Sequence, residues 1–168
     1  MEHAELRQQL DALHRDSFAW ALACCRRDRT EAEDVLQTVY LQALDGRARF
    51  DARSSFKTWL FAVIRRTAAA ERRRSMLRRL LLERRWTPEA ETAANGETTA
   101  EETDRATRLA EALRKLAPRQ HAVLELVFYH DITIEEAATI MGVAVGTART
   151  HYDRGKKRLA VFLNGDLR

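Results

Sequence analysis

Apolar residues recur along most of this chain at intervals of three and four, the spacing that puts side chains on one face of an α-helix. Leu6, Leu10, Leu13, Ala21 and Leu22, with Phe18 and Trp20 adding bulk, predict helix from the start of the chain. The segment at 26–30 (RRDRT) breaks that pattern. Val35, Leu36, Val39, Tyr40, Ala43 and Leu44 predict the next helix, with Thr30 as candidate N-cap, Glu33 completing a capping box and Gly46 at its end. Residues 46–54 read as a loop with one large anchor, Phe50. A long helix is expected from about Ser54, with Phe56, Trp59, Leu60, Val63 and Ile64 on its apolar side and a cationic opposite side.

Residues 87–103 (TPEAETAANGETTAEET) have no aromatic or large aliphatic residue and read as a flexible acidic linker. The pattern resumes near Asp104. Leu109, Ala112, Leu113 and Leu116 predict one helix, and Pro118 opens the next, with Val123, Leu124, Leu126, Val127 and Phe128 as its core positions. Thr133 and Glu136 form a second capping box, before a short helix at 134–140. A last helix at 146–163 turns Ala148, Tyr152, Gly155, Leu159 and Phe162 inward. The expected fold is all-α: two small helical domains, 1–86 and 104–168, joined by the linker at 87–103.

Charge adds a functional dimension. The net charge is only +4, yet residues 46–86 carry +10 and residues 146–168 carry +4, with acidic stretches between and before them. Two separated cationic surfaces suit a polyanion, and attraction of that kind weakens with salt. The adjacent pair Cys24 and Cys25 reads as reduced thiols on a partly buried helix, because neighbouring cysteines rarely close a disulfide and two thiols make a poor metal site. The polar N-terminus and the absence of any apolar run near the ~20 residues of a membrane span point to a cytoplasmic protein. The five histidines show no metal spacing, and no nucleotide, zinc-protease or serine-elbow motif is present. No catalytic residue, metal site, cofactor or small-molecule substrate is therefore expected.

The span from Thr133 to Leu159 reads as helix, turn around Gly142 and Val143, and basic helix, the pattern of a helix-turn-helix whose second helix enters a DNA groove. Thr147, Arg149, Thr150, His151, Arg154, Lys157 and Arg158 are its candidate contacts. Arg149 can donate two bonds to a guanine edge, Thr150 and His151 can make smaller contacts, and the later cations suit phosphates. Asp153 is an acid on this basic helix, four residues from both Arg149 and Lys157. In the first domain Lys57, Arg65, Arg66 and Arg72–Arg74 make a cationic face with Trp59 and Phe61 among them. Aromatics beside cations suit unstacked bases, although aromatics at helical spacing also serve as core, so both roles stay open. Glu31, Glu33 and Asp34, with Gln37 and Thr38 beyond, would repel DNA and suit a basic protein surface; compensation of the helix dipole accounts for Glu31 and Glu33 but not for Gln37. Leu77 and Leu80–Leu82 form a small apolar stripe able to dock a partner.

The segments AEDVLQTVYLQAL (32–44) and FKTWLFAVIRRTAAAERRR (56–74) resemble the second region of bacterial sigma factors of the extracytoplasmic-function group. The block at 113–159 resembles their fourth region, with no third region between. This resemblance implies binding of core RNA polymerase through Asp34, Gln37 and Thr38. It implies opening of the −10 promoter element, with a flipped base held near residues 47–54, where Arg49, Phe50 and Arg53 lie, and DNA guided by Lys57, Trp59, Arg65, Arg66, Arg72 and Arg73. It implies reading of the −35 element through Arg149, Thr150, His151 and Arg154, contact with the polymerase flap, and restraint by an anti-sigma factor until a signal arrives. Four positions depart from the family's habit: Thr67 where Asn is common, Glu71 where Asp is, Ala148 where Val is and Asp153 where His is. Two other readings stand beside this one. A stand-alone helix-turn-helix regulator leaves the acidic helix and the first basic domain without a task. A sigma-like decoy that binds only an anti-sigma factor would be expected to lose the cationic residues that this chain keeps.

Overall fold

The computed structural model describes residues 2–83 and 100–165, and the regular structure in them is helical throughout. The chain divides into two compact units, Met1–Ala93 and Ala94–Arg168. The all-α class with two helical clusters is thus the observed architecture. The expected linker at 87–103 lies outside the described residues as far as position 99, and its last four residues begin a helix.

The first unit contains α1 (His3–Ala12), α2 (His14–Cys24), α3 (Arg29–Leu44) and α4 (Phe56–Glu83). The single first helix expected from the pattern is two, parted at Leu13 (φ −99°, ψ 5°). Ser17 N still donates to Leu13 O at 2.8 Å, so the break is a kink rather than a loop. Helices α2, α3 and α4 pack pairwise against one another. At their centre Trp20 is 1 % exposed, stacks on Phe61 at 5.8 Å and donates its indole N–H to Phe61 O at 3.1 Å. That bond offsets the cost of burying a polar group in an apolar core. Phe61 is fully buried, which settles its role as core, whereas Trp59 is half-buried.

Two boundaries differ from the expectation. Helix α3 is capped not by Thr30 but by Asp28, whose carboxylate accepts from Glu31 N at 2.9 Å. Both residues are good caps, and a carboxylate has the further advantage of its charge at the positive end of the helix. Glu33 pairs with Arg29 one turn away, at 2.9 Å. Helix α4 starts at Phe56, because Ser55 Oγ accepts from Thr58 N at 3.1 Å. Helix α2 is followed, beyond its C-cap Cys25, by two left-handed residues, Arg26 (φ 55°) and Arg27 (φ 67°), and the Cys24 carbonyl at its end accepts from the Arg72 guanidinium of α4.

The second unit contains α5 (Ala100–Arg114), α6 (Pro118–Leu124), a π-helical turn (Glu125–Tyr129), α7 (Ile134–Met141) and α8 (Val145–Gly165). Helix α8 packs against α5, α6 and α7. The α6 contact is close because Gly155 has no side chain: a Cβ there would lie 3.1 Å from Leu124 Cδ1 and 3.3 Å from Gln120 Cβ. The Thr133–Glu136 capping box forms as expected, and Gly142 (φ 65°) ends α7 in the left-handed conformation that favours glycine. Phe128 is the exception to the expected core. The wider π turn rotates it outward, so that it is 61 % exposed and stacks on Tyr152 at 5.9 Å.

Candidate nucleic-acid interfaces

In the first unit the loop after α3 turns back on Gly46 (φ 71°), and Arg49 Nε donates to Gly46 O at 3.2 Å. Phe50 then lands on the start of α4, its ring 5.4 Å from Phe56 and 5.6 Å from Trp59. The loop is thereby pinned over α4, and an open groove of about 410 Å³ forms between them. Arg47, Arg49, Arg66 and Arg74 line it, together with Trp59, Thr38, Thr67 and Glu71. Glu71 is tied to Arg74 at 2.6 Å. A half-buried indole among guanidinium groups offers an unpaired base a stacking face and offers its phosphates positive charge. Arg47 was not among the candidates read in the sequence, and Arg74 was read there as part of the cationic face of the long helix but not as a contact of the −10 element. Arg66, Ala70 and Arg74 recur at intervals of four, which was the available signal for Arg74.

The other cationic candidates separate by environment. Arg53 is exposed and paired with Asp51 at 3.2 Å, and Arg66 and Arg73 are exposed. Arg65 is half-buried. Lys57 and Arg72 are turned to the fold instead. Lys57 Nζ is 2.8 Å from Asp16 and lies over the Phe61 ring, while Arg72 caps α2. The two share a cause: a long cationic side chain beside an acid or an orphan carbonyl is engaged by the fold.

On α3 Asp34 and Gln37 are exposed and Thr38 is half-buried. Beside them an apolar groove of about 430 Å³ runs between α2 and α3, with Phe18, Leu36, Leu41 and Leu44 in its lining and Leu41 54 % exposed. Farther along α4, Met76, Leu77, Leu80 and Leu81 are each more than half exposed; the Leu82 side chain lies outside the described residues.

On α8 Thr147, Arg149, Thr150, Arg154, Lys157 and Arg158 are all exposed. Thr150 Oγ1 donates to Gly146 O at 2.8 Å, which spends its proton inside the helix and leaves its methyl for an outside contact. His151 is half-buried with Nε2 fully covered, so it offers less to a groove than the sequence suggested. Arg149 pairs not with Asp153 but with Glu135 of α7, Nη2 to Oε1 at 3.3 Å. Among the described residues no cluster able to hold a metal ion occurs, and no helix is long and apolar enough to cross a membrane.

Comparison with known proteins places the chain in a family. The family model described as sigma-70 region 2 matches residues 10–78, and that described as sigma-70, region 4 matches residues 106–159. The chain is 27% identical over 158 residues to the RNA polymerase sigma factor CarQ of Myxococcus xanthus, covering 93% of this chain and 88% of that one. It is 31% identical over 137 residues to the ECF RNA polymerase sigma factor EcfG of Rhodopseudomonas palustris, covering 80% and 72%. Its fold is similar to that of the sigma factor RpoE, solved with the anti-sigma factor NepR from Bartonella quintana, at a TM-score of 0.73 and 21% identity over 95% of this chain and 97% of that one.

Proposed function

This chain belongs to the extracytoplasmic-function group of the sigma-70 family, with regions 2 and 4, and from that premise we propose how its surfaces divide the work of transcription initiation. The first unit binds core RNA polymerase through the exposed face of α3, by Asp34, Gln37 and Thr38. The groove between the loop at 46–54 and α4 takes the opened −10 element: Trp59 stacks on an unpaired base, while Arg47, Arg49, Arg66 and Arg74 hold phosphates. Arg53, Arg65 and Arg73 add to the positive field around it. The second unit reads the −35 element with α8, Arg149 at a base edge and Arg154, Lys157 and Arg158 on the backbone. An anti-sigma factor restrains the protein, in line with the partner found on a structural relative. A sigma factor supplies specificity to the polymerase and carries out no catalysis of its own.

One observation carries this reading: the two regions occur in order on one chain, the first with an acidic exposed helix face that a stand-alone DNA regulator would have no use for. The test is retention of core RNA polymerase by the purified full chain. Wild type is expected to retain it, and the Asp34→Ala, Gln37→Ala variant to retain at least several-fold less while keeping its helix content. Equal retention by both would remove α3 from the polymerase interface. Absence of retention by either would favour the stand-alone regulator.

A further inference from the structure

Arg149 is the side chain placed to read a base edge, and the fold gives it a partner. Its Nη2 donates to Glu135 Oε1 at 3.3 Å, from the second turn of α8 to the first turn of α7. The backbone under Glu135 is held fast: Thr133 Oγ1 accepts from Glu136 N at 3.2 Å, and the Glu136 carboxylate accepts from Thr133 N at 3.1 Å. Thr133 and Glu136 already satisfy that helix terminus, so the Glu135 side chain can serve another end. Asp153 lies one turn from Arg149 on the same helix and would draw the guanidinium along α8; the ion pair that forms is the one across the turn. A guanidinium has five N–H donors, and one contact leaves enough for a bidentate pair with guanine.

An acid beside a DNA-facing helix weakens attraction to phosphate at every sequence. The first turn of α7 favours an acid through the helix dipole, and the pair with Arg149 gives this one a further use in sharpening recognition. Exposed ion pairs are individually weak, but a groove that closes over this one displaces water and strengthens it at the moment of reading. We propose that Glu135 is a positioning residue for promoter reading, holding Arg149 in one orientation so that discrimination for guanine rises while general affinity for DNA falls. The inference rests on the assignment of α8 to the −35 element.

The test uses core RNA polymerase reconstituted with the full chain and a pool of random-sequence duplexes long enough to hold both promoter elements. Retained DNA is sequenced for wild type, Glu135→Ala, Glu135→Gln, Arg149→Ala and the Glu135→Ala, Arg149→Ala pair. Wild type is expected to enrich guanine at one −35 position, and Arg149→Ala to lose that enrichment. Glu135→Ala is expected to lower it by about two- to five-fold, the span of an exposed ion pair, while total DNA retained increases. Glu135→Gln should fall between, since its carbonyl still accepts the bond, and the double variant should match Arg149→Ala. Unchanged guanine enrichment in Glu135→Ala would overturn the proposal, as would a further loss in the double variant or a loss spread evenly over all positions. Guanine enrichment that survives Arg149→Ala would overturn the base-reading assignment itself, and the positioning role with it.

Discussion

Arg66 stands exposed on the groove of the first unit, whereas Arg72, less than two turns along the same helix, gives its guanidinium to the Cys24 carbonyl. Nothing in the run of arginines separates the two, because the difference lies in α2 ending beneath one and not the other. Cys25, next to that carbonyl, is 1 % exposed, and burial, reinforced by the nearby Glu31 carboxylate, pushes its thiol from an ordinary 9.0 up to about 12. The thiolate is the reactive form, so Cys25 is expected to resist iodoacetamide at pH 8 in the native protein and to react once the chain is unfolded. Mass spectrometry of the alkylated cysteine checks this; rapid native labelling would contradict it and reopen a redox role for the pair. The sign of the linked pH effect follows. The folded pKa is the higher one, so the contribution to stability is intact below pH 9 and is lost as pH rises from there toward 12.

Helix boundaries were legible where one residue had no competitor. The Thr133–Glu136 capping box and the Pro118 start appear as the sequence implies. Thr30 failed because Asp28, two residues earlier, offers the stronger acceptor. The π turn at Glu125–Tyr129 was not legible, since apolar spacing in a short helix gives no sign of one wider turn, and Phe128 moved from core to surface with it. Two glycines of the helix-turn-helix motif separate conformation from space. Gly142 is left-handed with nothing within 4 Å of its absent Cβ, while Gly155 is confined by Leu124 and Gln120. Gly142→Ala is therefore expected to cost about 1 kcal/mol through backbone strain alone. Gly155→Val should cost about 1–3 kcal/mol or more by forcing α8 away from α6. Urea unfolding of the full chain, followed by circular dichroism, measures both. A Gly155→Val variant as stable as wild type would mean that the α6–α8 contact is looser than described.

Across the whole molecule, the sequence carried the division into two helical units and the cationic stretch within each, because helical periodicity and charge are local properties. It did not carry the groove, which exists only because Gly46 and Phe50 fold the loop back over α4 and bring Arg47 into line with Arg66 and Arg74. Nor did it carry the Glu135–Arg149 pair, which depends on the angle between α7 and α8. Residues 46–86 and 146–168 hold the positive charge, and both are needed if one protein is to hold an opened strand and read a duplex. Joint action of these surfaces on a polymerase is the proposal that ties both units together. It is tested most directly by transcription of fragmented genomic DNA from the source organism, using core RNA polymerase with and without the protein, followed by mapping of the transcript starts. A new set of starts is expected, preceded by two shared sequence elements at a fixed spacing, dependent on both core and protein and diminished by Arg149→Ala. Unchanged starts, together with tight selection of a single duplex element by the protein without polymerase, would contradict it.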